Sequence, residues 1–229
     1  MSNSFASNIW DRRGKTDTMS NNLYAFLVCF WTALGVAFTG IIAWYTMLAE
    51  VEMSWGLAIG VMVVAIGGIF LSTLSDNPVF SLVGYGLVAG PFGVLLGPVI
   101  ALYTTVAIWK ALFITSAVVM VLGTIGATYP KSLSSWQGPL LGALLILLCG
   151  YFIVPIGGLF GLDVGTGLMM WDWVGLIIFG ALVIFDLNRA MRIPKTFNNS
   201  IDCALALYLD FVNIFIRILA LTGNSSSKD

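Results

Sequence analysis

Seven stretches of this chain are apolar over the ~20 residues that a helix needs to cross the hydrocarbon of a bilayer. They run at about Leu23–Met47, Trp55–Leu74, Val79–Tyr103, Val106–Ala127, Gln137–Phe160, Leu168–Ile193 and Ile201–Thr222. Hydrophobic residues make up 59% of the 229 and charged residues only 9%; soluble domains average about 25% charged. The expected fold is all-α and integral to a membrane, a bundle of seven transmembrane helices. A polar tail over 1–22 precedes the transmembrane domain at 23–222, and a short tail at 223–229 follows it. No length remains for a separate soluble domain. The first 20 residues are polar, so no cleavable signal sequence is expected. Pro91 and Pro98 interrupt the third stretch and predict a kink or a break there.

Lysine and arginine set the orientation. With a cytoplasmic N-terminus, the inner side receives Arg12, Arg13, Lys15, Lys131, Arg189, Arg192 and Lys195. The outer segments receive only Lys228, together with Glu50, Glu52, Asp163 and Asp172. Lys110 and Arg217 fall inside spans, towards their outer ends. Trp44, Trp55, Trp109, Trp171 and Trp173 come out near the outer interface, where an aromatic belt belongs. A miscounted helix would scramble this segregation. A bacterial inner membrane is the expected location, or an endomembrane if the source is eukaryotic.

Several chemistries are excluded. The chain has no histidine, so zinc proteolysis through HExxH and any Ser–His or Cys–His couple are ruled out. A net charge of −1 gives no footprint for nucleic acid. Cys29, Cys149 and Cys203 lie in apolar segments and read as buried free thiols. A retinal Schiff base needs a lysine deep in a helix, and the seventh stretch has none. Two aspartates on neighbouring helices also occur in intramembrane proteases, but their Gly-x-Gly-Asp motif is missing. The chain is not expected to be an enzyme, nor to carry a cofactor. Small-residue spacings at Gly56/Gly60, Gly86/Gly90, Gly93/Gly97 and Gly157/Gly161/Gly165 predict close helix packing.

Two carboxylates stand out against this background. Asp186 lies in Ile184-Phe185-Asp186-Leu187-Asn188 and Asp210 in Leu205-Ala206-Leu207-Tyr208-Leu209-Asp210-Phe211. A carboxylate at the centre of a bilayer costs about 2.5–3.5 kcal/mol on insertion scales, so it marks an ion path, a proton relay or a paired site. Asp186 is seven residues before Ile193, about 10 Å from the inner end, and Asp210 ten residues after Ser200, about 15 Å in. Short connections make the sixth and seventh helices antiparallel neighbours, so the two carboxyls come within reach of each other. Close carboxylates in a poor dielectric share one proton rather than both ionising. At lower pH that proton ties the two helices together; at higher pH both groups ionise, repel, and attract a hard cation such as Ca²⁺. Asp210, Asn213 and Arg217 follow i, i+3, i+7 and form one polar stripe. Arg217 is read as snorkelling outward and Asp202 as solvated at the inner interface. An interfacial charge facing Arg189 or Arg192 is the alternative for Asp186.

These residues also carry a family resemblance. The run Ala206-Leu207-Tyr208-Leu209-Asp210-Phe211-Val212-Asn213-Ile214-Phe215 closely resembles the C-terminal signature of the Bax-inhibitor motif (TMBIM) family, whose bacterial branch includes YetJ- and YccA-like proteins. Phe185-Asp186-Leu187-Asn188 resembles its sixth-helix aspartate motif. Leu122-Gly123-Thr124-Ile125-Gly126-Ala127, followed by Lys131-Ser132-Leu133-Ser134, resembles its glycine-rich fourth helix. The likeness covers about residue 120 to the end.

The resemblance implies seven helices with the seventh central. It also implies a pH-sensitive Ca²⁺ leak governed by the di-aspartyl pair Asp186 and Asp210. These two residues are then both the gate and the expected Ca²⁺ ligands, with Asn188, Asn213 and Arg217 as further polar positions on the path. The family link also extends to cell-death suppression and to regulation of membrane proteases, so a membrane-protein partner is the alternative function. One departure concerns the segment after the second helix, where related proteins carry basic residues that engage the aspartates. This chain has Ser72-Thr73-Leu74-Ser75-Asp76-Asn77 there. The expected partners are the lipid bilayer, Ca²⁺ or other cations, and a membrane protein such as a protease.

Overall fold

The computed structural model of the chain describes residues 18–161 and 163–223. Of the expected tails at 1–22 and 223–229, residues 1–17 and 224–229 lie outside the described residues. Among the described residues there are seven α-helices and no strand. They are α1 (Asn21–Leu48), α2 (Trp55–Leu74), α3 (Pro78–Ile100), α4 (Thr105–Thr128), α5 (Gln137–Gly157), α6 (Val164–Ala190) and α7 (Phe197–Thr222). Six of them, α1 to α4, α6 and α7, are long and apolar enough over their described residues to cross a membrane. The chain is a multi-pass, all-α membrane protein.

The helix starts follow from short polar residues placed just before apolar runs. The Ser20 hydroxyl accepts from Leu23 N–H at 3.3 Å and the Ser54 hydroxyl from Leu57 N–H at 3.2 Å. The Asn77 side-chain oxygen accepts from Val79 N–H at 2.9 Å, with Pro78 in the first helical position, where its missing N–H costs nothing. At the start of α6 the Asp163 carboxylate accepts from the Thr166 hydroxyl at 2.6 Å and from Gly165 N–H at 3.0 Å. Those bonds, the Thr166 hydroxyl first, hold its carboxyl below the usual carboxylate range.

α3 corrects one expectation: it runs unbroken from Pro78 to Ile100 through both Pro91 and Pro98. A proline deletes one rung of the helix ladder, and packing against neighbouring helices can hold the segment together regardless. The glycines that follow supply that packing. A Cβ on Gly93 would lie 2.7 Å from Ile42 Cβ, and one on Gly97 would lie 2.6 Å from Thr46 Cβ, so α1 and α3 meet almost backbone to backbone.

The helices form two compact units. The first comprises α1–α3 and the stretch Ala190–Tyr208, which includes the first half of α7. Within it α2 and α3 meet at Gly68 and Gly84, where a Cβ on either residue would strike the backbone of the facing helix. The Thr39 hydroxyl pairs with the Tyr208 hydroxyl at 2.7 Å, and Tyr85 donates to Trp31 O at 3.0 Å. The second unit comprises α4, α5, α6 and α7 from Leu209 onward. α7 is the most enclosed of the six apolar helices, with 67% of its apolar window buried against 17–39% for the others.

Large apolar side chains are exposed on most helices, among them Phe26, Tyr45, Phe113, Met120 and Ile146. In water this much exposed hydrocarbon would drive aggregation; against acyl chains it is the required surface. Trp44, Trp55, Trp109 and Trp173 are exposed as an aromatic belt requires. Trp171 instead turns onto α5, donating its indole N–H to Leu147 O at 2.8 Å and covering Gly150. The thiols also differ from expectation: Cys29 and Cys149 are exposed on apolar helices and only Cys203 is buried, beside the Tyr24 hydroxyl at 3.2 Å.

Candidate functional site

In the second unit Asp186 of α6 and Asp210 of α7 lie near enough for their carboxyl groups to act on each other. Asp210 is 4% exposed and Asp186 half-buried. Two carboxylates cannot hydrogen-bond without a proton between them, since an ionised carboxylate only accepts. Asp210 Oδ2 is buried and accepts from no N–H or hydroxyl group among the described residues. Arg189, three residues on, acts electrostatically on Asp186. The meeting does not come from equal depth along the two helices. α6 ends at Ala190 and α7 starts at Phe197, so Asp186 is about 6 Å from its helix end and Asp210 about 20 Å from its own. The connection Met191–Thr196 absorbs the difference, six residues having an extended reach of about 20 Å.

Asn188 does not join the carboxyl pair. It is buried and turned onto the end of α4 and the loop after it. Its amide nitrogen donates to Gly126 O at 3.2 Å, Tyr129 O at 3.2 Å and Lys131 O at 3.1 Å, and its oxygen accepts from Leu133 N–H at 3.0 Å. It supplies from α6 the cap that the last carbonyls of α4 lack.

On α7 the C-terminal end of the Asp210, Asn213 and Arg217 row folds inward. Arg217 is 5% exposed rather than snorkelling. Its Nη1 donates to Asn213 O at 2.7 Å and Asn213 Oδ1 at 3.2 Å, while Asn213 donates to Leu209 O at 2.8 Å. The guanidinium lies 4.6 Å from the Phe179 ring centroid and 5.6 Å from that of Tyr151. Gly175 makes room for it, because a Cβ there would collide with Arg217 Nε. The Tyr151 hydroxyl donates to Asp172 at 2.6 Å. Sequence reasoning missed the Tyr151–Asp172 pair and the place of Gly175. The available signal was a lone arginine in an apolar helix, which needs aromatic faces and polar groups from neighbouring helices.

In the first unit, Asp202 is buried at 2% exposure rather than solvated, and the Ser72 hydroxyl donates to it at 3.5 Å. Around it the Ser81 hydroxyl donates to Asn198 Oδ1 at 2.7 Å and Asn198 donates to Ser75 O at 2.9 Å. The segment after α2, which lacks basic residues, therefore engages the start of α7 through serines. No group of three or more acidic, cysteine or histidine side chains comes together among the described residues. The pair can hold a cation in transit; a resident Ca²⁺ would need six to eight oxygens.

Comparison with known proteins sets the chain among membrane proteins. Over 184 residues the chain is 29% identical to an uncharacterized protein of Helicobacter pylori strain J99, covering 79% of this chain and 76% of that one. It is 23% identical over 223 residues to the inner membrane protein YbhL of Escherichia coli K12, covering 88% and 91% of the two chains. It is 26% identical over 141 residues to an uncharacterized membrane protein of Streptococcus pyogenes serotype M3, covering 58% of each. Residues 22–227 match the family model Bax1-I, described as inhibitor of apoptosis-promoting Bax1, and the chain belongs to that family.

Proposed function

We propose that the protein is a pH-sensitive cation leak, with Ca²⁺ as the transported ion, gated by Asp186 and Asp210. The reading takes all seven helices as crossings, with α7 innermost, the N-terminus cytoplasmic and a bacterial inner membrane as the location. The lysine and arginine bias and the burial of α7 support that arrangement. One observation supports the function: the two carboxyls, on two otherwise apolar helices, lie near enough to act on each other.

While the pair shares a proton, α6 and α7 are clasped and a cation finds no free anionic site. When the proton leaves, two like charges in a poor dielectric repel and offer their oxygens to a cation. Arg189 is the charged neighbour of Asp186 on α6. In vesicles carrying the purified protein, Ca²⁺ entry is expected to rise as pH goes from 6 to 8, by no more than about tenfold per pH unit for one titrating proton. Entry that does not vary with pH would contradict the reading.

The family description favours a second function, binding to and restraining a cell-death complex, and the resemblance read from the sequence adds a membrane protease as the alternative partner. A stoichiometric membrane partner that co-purifies with the full chain and separates on deletion of residues 1–17 would favour it.

A further inference from the structure

We infer that Asn188 is the positioning residue of the carboxyl pair, acting through the face of α6 opposite to the pair. Asp186 lies four residues before the end of α6 at Ala190, in the part of a helix most prone to fray. Whether it reaches Asp210 depends on that last turn staying wound and turned the right way. The turn is fastened on its other side. Ile184 and Asn188 are one turn apart, and Asp186 lies about 200° round from Ile184 at 3.6 residues per turn. On the Ile184–Asn188 face, α4 comes to backbone contact: a Cβ on Gly126 would collide with Ile184 O, and one on Gly123 would touch Leu187 at 3.6 Å.

Asn188 closes this contact from below with three carbonyl acceptors and one N–H donor, all backbone groups between Gly126 and Leu133. No titratable side chain is among those four partners; Lys131 contributes its carbonyl and its own side chain is exposed. The charged groups acting on Asp186 itself are Arg189 on α6 and Asp210 on α7. Asn188 therefore sets the geometry of the pair without exchanging charge with it. The exposed loop Tyr129–Ser132 is mechanically tied to the gate through one amide.

The inference rests on the leak reading only for one of its two readouts. In the full chain in lipid nanodiscs, infrared difference spectra record the carbonyl stretch of the shared proton, assigned by its disappearance in Asp186→Asn. Asn188→Ala and Asn188→Asp are both tested; the aspartate keeps an acceptor for Leu133 N–H and covers the case in which the alanine variant does not fold. Both are expected to shift or split the band and to move the midpoint of the pH-dependent leak by roughly half a unit, a threefold change in proton affinity. Leu147→Ala, a core truncation on α5 at a residue 1% exposed, is expected to lower the unfolding temperature and leave the band in place. The inference is overturned if the Asn188 variants lose stability with band and midpoint unmoved, or if Leu147→Ala moves the band as far. If the unsubstituted protein carries no flux at all, the leak reading fails and the band alone decides the role of Asn188.

Discussion

Asp210→Asn is expected to abolish the pH dependence of Ca²⁺ entry and hold it at the low-pH level. An asparagine amide donates to the Asp186 carboxylate at every pH, so the clasp that a shared proton provides only when present becomes permanent. Asp186→Asn does the same from the other side. Over two pH units the unsubstituted protein should change its flux by up to about a hundredfold, and each variant by less than twofold, if one proton carries the response. The double variant Asp186→Asn/Asp210→Asn is the sharper case. Two residues that share one proton form one unit, so losing both should alter the pH profile no more than losing either. A calcium dye enclosed in vesicles, read at several external pH values, checks all three. Additive effects of the two single substitutions would mean that the carboxyls act separately.

The second large effect concerns the scaffold. Gly84→Ala is expected to destabilise the protein by about 3 kcal/mol, the upper end of the usual cost of overpacking. The new Cβ would land on Ser72 N, 2.6 Å from Gly68 O and 2.9 Å from Ser72 Cα. All three atoms are backbone, so no side chain can rotate away and α2 must move off α3. Gly60→Ala and Gly86→Ala meet nothing within 4 Å and should gain up to about 1 kcal/mol from helix propensity. Thermal unfolding in detergent, with the three variants side by side, reads the contrast. If Gly84→Ala unfolds at the same temperature as Gly86→Ala, the α2–α3 contact is not as close as described.

The same contrast shows what a sequence can and cannot disclose. Gly86/Gly90 and Gly93/Gly97 share a spacing, yet only the second pair is pressed against α1. Spacing tells which glycines share a helix face; it says nothing of which face meets another helix. Gly68 and Gly84, which belong to no such pair, are each pressed against the backbone of the facing helix. The helices themselves were legible because hydrocarbon leaves a chain few options. Their ends fell within four residues of expectation because Ser20, Ser54 and Asn77 announce three of the starts.

The carboxyl pair was legible too, since a buried charge demands a partner and only one other carboxyl lay in reach. Asp202 was misjudged because position near a helix end suggests solvent, whereas Ser72, distant in sequence, covers it. Arg217 was misjudged for the same reason: the rings of Tyr151 and Phe179, not the length of its own stem, decide where it goes. The role of Asn188 was hidden because its partners are backbone groups, which carry no sequence signature.

The most direct test asks whether the proton and the ion obey one equilibrium. On one sample in vesicles, the infrared carbonyl band of the Asp186–Asp210 couple and the rate of Ca²⁺ entry are followed through the same pH steps. The account predicts that the band fades with the same midpoint at which entry rises, and that neither change survives in Asp210→Asn. A band that fades while entry stays constant, or entry that rises with the band intact, would contradict it.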